Sequence, residues 1–418
     1  MYCDTINKGV MKVAEHDNLV ARECMPEELE MGLKVRNSIF SPITNEDWQK
    51  GDSKTAAIAL YESECIGFIP LSLRKFRLTS QITITAAFEN GVGVKQGYRS
   101  MGIGSQMIAA ASCFLKEKAD ALYVYRGDER SQGYNFYAKT GHVDLLYMRR
   151  FENCNLKGII HESVIISQGT DEIFNNQQKL KEIFEETYFT FGGFPPRDEN
   201  YWESAFNSPI YAAKPMNIYF FRLVEKGCIT AYLIAGKKLK PENEEEVGRL
   251  HILEMAACGG DPQKMKKVLE ATAGFVEKKG FSVIDLEASD SCPFKELLID
   301  LDYSSGLRRR QIMSLSFDSK ALFDKFWKER LYLPGIELKV WTPKQTITLI
   351  ERKSDNAQTV TIEMKEEMLT RWLMGRLDFK AGVNEGMITV ANGNKTIISE
   401  IAKSIPFSEW EYHPIDYI

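Results

Sequence analysis

The sequence contains no run of eighteen apolar residues, so it has no segment with the length and character of a membrane-spanning helix. The opening stretch MYCDTINKGVMKVAEHDN lacks an apolar core of signal-peptide length, and a cytoplasmic protein is the expectation. No strongly basic block accompanies the net charge of −5, which argues against nucleic acid as the principal partner. A mildly acidic surface suits a cationic acceptor such as an amine. The eight cysteines, at positions 3, 24, 65, 113, 154, 228, 258 and 292, include no close pair of zinc or redox type. They read as reduced thiols, several on core faces, with Cys113 a core residue rather than a nucleophile. The five histidines (His16, His142, His161, His251, His413) include no pair at helical metal-ligand spacing, and no metal is expected.

What is present is an ordinary soluble composition, 44% apolar and 27% charged, over 418 residues, enough for two to four domains each with its own core. The most informative stretch runs from Ile82 to Val143. Alternating apolar residues over Ile82 to Phe88 predict a strand, and Glu89-Asn90-Gly91 a bend. VGVKQGYRSMGIGSQMIAAASCFL follows from Val92, with Met107, Ile108, Ala111, Phe114 and Leu115 at helical spacing for one buried face. The turn before that helix carries Arg99, Ser100, Met101, Gly102, Ile103 and Gly104. Glycines there let the backbone approach a ligand closely, while unpaired N–H groups, the helix dipole and Arg99 favour phosphate oxygens. A lone Arg-x-x-Gly-x-Gly also marks ordinary turns. A dinucleotide site is excluded, because Arg99 stands where the first glycine belongs and no acidic residue closes a following strand. A second strand, Ala121 to Tyr125, and then the YNFYAKTGHV segment complete the unit.

Strand, glycine turn, amphipathic helix, strand and the Phe136-to-His142 segment together resemble the GNAT acetyltransferases. A helix over Glu27 to Phe40 and a hairpin over Thr55 to Leu73, turning at Glu62-Ser63-Glu64, precede the unit in the order of that family. The resemblance implies an acetyl-coenzyme A site formed by Arg99, Ser100, Met101, Gly102, Ile103 and Gly104, with Asn135 near the coenzyme. It further implies that Val92, Gly93 and Val94 form the exposed strand edge on which the pantetheine arm pairs. Tyr137 matches the family's general acid, and a phenol with a reference pKa near ~10 keeps its proton at neutral pH and can return it to the departing sulfur. Its competing role is a packed aromatic, and Tyr134 is a nearby alternative. His142 reads as a packing or supporting residue rather than the base.

A second unit repeats the layout. A helix over Gln178 to Tyr188, a loop over Phe191 to Trp202, a hairpin over Tyr219 to Gly236 and a charged loop from Lys237 lead into a strand, turn, helix and strand from Leu250. Here the turn is Cys258-Gly259-Gly260-Asp261-Pro262, and Asp261 is placed to cap the helix where phosphate would sit. Leu297 and Leu298 stand roughly where the first copy has Phe136 and Tyr137. The repeat reads as a coenzyme-free copy that shapes an acceptor pocket or an oligomer interface. The last hundred or so residues change to short strands and helices, predicting an α+β layer with five or six strands, and resemble a sterol-carrier-protein-like domain.

The expected architecture is therefore α/β (α+β), with a catalytic GNAT domain over 1–152, a degenerate GNAT-like domain over 153–310 and a sterol-carrier-like domain over 311–418. Together these resemble the enhanced intracellular survival (Eis) type. That resemblance implies acetylation of a primary amine of a small molecule or lysine side chain, a homo-oligomer of up to six chains, and the terminal carboxylate of Ile418 as base. A water chain to a glutamate or histidine is the alternative base. A non-catalytic acetyl-coenzyme A sensor or scaffold, a lipid-binding protein acting through the C-terminal domain, and a peptidoglycan-building tandem enzyme are the alternative functions.

Overall fold

The computed structural model describes residues 18–50, 52–125, 132–155, 157–239, 247–352 and 357–417. The predicted hairpin forms as Ser53–Tyr61 and Glu64–Thr79, and its turn is held by two non-glycine residues in the left-handed region, Glu62 (φ 49°) and Ser63 (φ 71°). Two successive positive φ values match the twist of the flanking strands, as in a two-residue hairpin loop. The strand Ile82–Glu89 lies antiparallel to Glu64–Thr79 and parallel to Ala121–Tyr125. The helix Ile103–Phe114 buries Ile103, Met107, Ile108 and Ala111 against Ala57, Ile69, Leu71 and Ala87 of this sheet. Fully burying a side chain such as Met107 contributes about 2 kcal/mol. Cys113 is exposed on this helix, which corrects its expected place in the core: it sits beside the apolar stripe, not in it.

The two halves that repeat one layout share one sheet. Val143–Asn153 pairs antiparallel with Val283–Ser289 of the second half. Ser304–Ser316 runs between Ala121–Tyr125 and Val143–Asn153, antiparallel to both. The result is a continuous thirteen-stranded sheet among the described residues, running from Leu19–Glu23 at one edge to Val164–Gln168 at the other. The boundaries expected at 152 and 310 both fall inside strands of that sheet. Residues 311–316, read from the sequence as the opening strand of the third domain, belong to it as well.

The C-terminal unit carries four strands among the described residues, in the order Thr346–Ile350, Ile336–Trp341, Gln358–Glu363, Thr389–Ala391, rather than five or six. It packs on one face of the large sheet. Trp327, Trp372, Met374 and Trp410 share a core with Phe76, Phe88, Tyr123 and Leu145. Two of these three buried indole nitrogens find backbone acceptors, and Trp372 Nε1 has none among the described residues. Trp327 Nε1 donates to Leu373 O at 2.9 Å and Trp410 Nε1 to Leu78 O at 2.8 Å. No helix among the described residues is long and apolar enough to cross a membrane.

Candidate active site

The glycine turn is a short 3-10 turn, Gln96–Tyr98, then Ser100 (φ 66°) and Gly102 (φ 78°) in the left-handed region, then the helix from Ile103. The first capped hydrogen bond of the helix is Gln106 N–H to Gly102 O, so the N–H groups of Ile103, Gly104 and Ser105 have no intrahelical acceptor. Gly104 is required by packing: a Cβ there would lie 2.9 Å from Cε2 of Phe136. Phe136 thereby ties the turn to the helix Gln132–Lys139, which carries Tyr137. Arg99 donates from Nε to Val94 O at 3.1 Å, spanning the turn back to the short strand Gly93–Val94.

That short strand marks an opening in the sheet. Gly93 and Val94 pair with Phe68 and Gly67 on one side. On the other side the parallel pairing between Ile82–Glu89 and Ala121–Tyr125 stops at Phe88 and Tyr123. From there the two chains diverge, and the outer edge of residues 92–94 carries no strand partner among the described residues. Asn135 is exposed on the helix Gln132–Lys139.

Tyr137 is buried against Val124 and Met313 as a packed aromatic. Its ring meets that of His142 at 5.0 Å and an interplanar angle of 73°. His142 is enclosed, with Nδ1 3.0 Å from Thr140 Oγ1 and Nε2 3.1 Å from Glu89 Oε1. Glu89 ends its strand with a side chain that is 0% exposed, and its Oε2 is enclosed without a hydrogen-bond partner among the described residues. Sequence reasoning took Glu89 only as part of a bend. Its isolation as a charged residue at the end of an otherwise apolar strand was the available signal. Tyr134, the alternative acid, turns its hydroxyl toward Asp144 Oδ2 at 3.5 Å.

The chain's last segment reaches the same region. Asp416 is fully buried, accepting from Arg197 Nη1 at 2.7 Å and from the Tyr201 hydroxyl. Its backbone carbonyl accepts from Arg74 Nη1 at 2.6 Å. Arg197 in turn meets Glu254 Oε2 at 2.6 Å and lies between the rings of Phe184 (4.2 Å) and Tyr201 (4.0 Å). Burial pushes the Asp416 carboxyl up to about 6, with the Arg197 guanidinium opposing the rise. The Tyr417 ring packs 5.5 Å from Tyr125, and Tyr125 stacks at 5.2 Å on Phe88, the neighbour of Glu89. Ile418, the expected base, lies outside the described residues.

The second half has its own divergent pair, Arg249–Ala257 and Val283–Ser289, hydrogen-bonded only from Arg249 to His251. Here the opening is lined by Glu411, Tyr412, His413 and Pro414. Glu411 accepts from Ser289 N and Ser289 Oγ, both at 2.8 Å. Burial pushes its carboxyl up to about 7 against those hydrogen bonds. His413 is held among Phe184, Tyr188 and Phe194, and burial drives its pKa well below the ordinary histidine value. Asp261 caps the helix Pro262–Lys279, accepting from Gln263 N at 2.8 Å and Lys264 N at 3.4 Å. Leu297 and Leu298 are buried on the helix Lys295–Asp300. Among the described residues no group of three or more histidine, cysteine or carboxylate side chains is arranged to hold a metal ion.

Comparison with known proteins places these observations. No curated protein sequence matches the chain. A conserved protein of unknown function from Enterococcus faecalis, described as a probable N-acyltransferase, shares the fold with a TM-score of 0.65 at 14% identity, over 94% of this chain and 99% of that one. Eis1 from Mycobacterium abscessus does so with a TM-score of 0.58 at 12% identity, over 94% and 98%. A tandem GNAT protein from the clavulanic acid biosynthesis pathway gives 0.50 at 11% identity, over 72% and 99%. At such identities the likeness is one of fold. Residues 22–142 match the model of the acetyltransferase (GNAT) family, and the likeness in sequence is confined to this segment.

Proposed function

We propose that this protein is an N-acetyltransferase that uses acetyl-coenzyme A and a primary amine of a small molecule or lysine side chain. The observation that carries the reading is the enclosed cluster of Tyr137, His142 and Glu89 at the closed end of the opening between diverging strands. The coenzyme supplies an activated thioester. The N–H groups of Ile103, Gly104 and Ser105, with Arg99 beside them, fit its phosphates, because none of the three has an intrahelical acceptor. The edge of residues 92–94 turned away from Phe68 and Gly67 faces its extended arm, with Val94 O already held by Arg99.

An alkylammonium with a pKa near ~10.4 must lose a proton before its nitrogen can bond to the carbonyl carbon. Glu89, acting through the His142 imidazole, takes that proton. As the new C–N bond forms and the C–S bond breaks, Tyr137 gives its hydroxyl proton to the leaving sulfur, and the second proton of the acylated nitrogen leaves to restore the phenol, directly or through solvent. Ile418 is a second candidate for the base, supported by the anchoring of Tyr417 beside Tyr125. The second half, its opening lined by the tail and its helix capped by Asp261, takes no coenzyme in this reading. The sterol-carrier-like assignment of the C-terminal unit, which covers one face of the catalytic sheet, and a homo-oligomeric assembly belong to the same proposal.

The test is thiol release from acetyl-coenzyme A across a panel of amines, with the intact protein, Tyr137→Phe and a chain lacking Ile418. Turnover on some amines that collapses in Tyr137→Phe supports the reading. Tight coenzyme binding without turnover on any amine replaces it with the sensor or scaffold.

A further inference from the structure

The thirteen-stranded sheet ends on Val164–Gln168, which pairs with Met216–Glu225 on one side and has no strand on the other among the described residues. Around this edge stand four exposed isoleucines. Ile165 and Ile166 in the strand are 44% and 38% exposed, and Ile159 and Ile160 just before it 54% and 69%. Single exposed apolar residues are common on any protein surface, but four around one open strand edge form a patch. The side on which Ile159 and Ile160 lie is set by their neighbours. Gly158 packs against the backbone of Gly274, and His161 Nε2 lies 2.7 Å from Glu270 Oε2, so residues 158–161 run along the helix Pro262–Lys279. Ile166 faces the same way, because its cross-strand partner Phe221 packs on Phe275 of that helix, ring to ring at 5.3 Å.

The backbone of this edge is open in a pattern that matches itself. Val224 N–H donates to Ser163 O and Gly169 N–H to Ile218 O, both at 2.9 Å, so the odd-numbered positions turn their backbone groups inward, toward Met216–Glu225. Alternation then turns the N–H and C=O of Ile166 and of Gln168 outward, together with the C=O of Val164, whose N–H is taken by His161 O. In an antiparallel pair centred on Ile166, each Ile166 exchanges N–H···O bonds with its own copy, and each Gln168 N–H meets the open Val164 O of the other. No charged side chain occurs from Val164 to Gln168. Strand edges are commonly guarded against such pairing by charge, as the opposite edge of this sheet is, where Leu19–Glu23 carries Arg22 and Glu23. A charged peptide finds no counter-charge on this strand, whereas a second copy finds its own register and its own isoleucines.

We propose that Val164–Gln168 is a two-fold contact between copies of this chain, continuing the sheet from one protomer into its partner through Ile166. A strand of five residues is too small for a stable interface, which takes about 800 Å² from each partner, and Ile159, Ile160 and the helix Pro262–Lys279 on the same side complete it. Such a contact is isologous and closes on itself. The opening between Ile82–Glu89 and Ala121–Tyr125 lies toward the other end of the strand order, so the contact leaves it accessible. The inference rests on the homo-oligomer proposed above for its occupant, and not on acetyl transfer.

The experiment measures the mass of the full chain by sedimentation velocity over a range of concentrations, with hydrogen exchange at the Ile166 and Gln168 amides. An assembly of at least two 47.7 kDa chains is expected, with both amides slow where it forms and fast where it dissociates. Ile166→Lys sets like charges opposite each other, and Ile166→Pro removes an outward N–H without touching the ladder to Met216–Glu225. Each is expected to weaken association about tenfold or more. Ile160→Lys, at a position 69% exposed, keeps the test open if neither strand variant folds. A chain that stays monomeric at every concentration overturns this contact together with the homo-oligomer, and leaves acetyl transfer, read by thiol release, to its own test. An assembly equally tight in all three variants, with both amides fast, overturns the contact alone. Slow amides in a monomer-sized particle assign the edge to another part of the chain and overturn it as well.

Discussion

His142 Nε2 lies 3.1 Å from Glu89 Oε1, and neither side chain has any exposed surface. The pair joins the end of the strand Ile82–Glu89 to the residue that follows the Tyr137 helix and its turn, so the elements carrying the proposed acid and base are fixed by the same contact. Tyr137→Phe is expected to lower kcat by about 10²–10⁴-fold, the usual contribution of a positioned proton donor, with coenzyme affinity retained. Glu89→Gln is expected to lower kcat similarly, with coenzyme affinity retained. An unchanged kcat would move the base to another group.

Gly104 and Phe136 make the second prediction. Gly104→Ala places a methyl 2.9 Å from the Phe136 ring, and insertion of one carbon into such a contact typically costs 1–3 kcal/mol. The expected result is weaker coenzyme binding in calorimetry, partly restored by Gly104→Ala combined with Phe136→Leu. Loss without any recovery in the double variant would point to backbone conformation rather than to this contact.

Arg197 compensates two buried carboxylates, Glu254 and Asp416, from opposite sides of the second half and the tail. Arg197→Met leaves both without their cation, and breaking a buried pair this way costs about 3–5 kcal/mol. Denaturant unfolding should register that loss. Replacing Arg197 and Asp416 together, as Met and Leu, should cost less than the sum of the two single changes.

Glu411 gives a pH dependence of defined sign. The folded chain keeps its proton up to about pH 7, whereas the unfolded carboxyl releases it near 4.5. Between those values the folded state binds more protons, so stability is full below the window and falls as pH rises through it. The gap corresponds to roughly 3 kcal/mol for this enclosed group. Unfolding free energies at pH 5 and pH 8 should therefore differ less in Glu411→Gln than in the unaltered chain. An identical difference in both would exclude Glu411 as the source.

The local chemistry was legible in the sequence, because it depends on neighbours in the chain. Alternation set the strand Ile82–Glu89, helical spacing set Ile103–Phe114, the glycines set the turn between them, and Asp261 announced its own cap. The tertiary structure alone decided which distant residues meet. Ser304–Ser316 is an unremarkable strand by pattern, and only the pairing competition between Ala121–Tyr125 and Val143–Asn153 places it between them. Glu89 becomes a partner of His142, Arg36 is buried with an Nε that has no partner among the described residues, and Glu411 comes to line the second opening, through contacts across 53 residues or more or through burial. A sequence states which charges exist. Their desolvation and pairing, which decide what those charges do, arise only when the chain is packed.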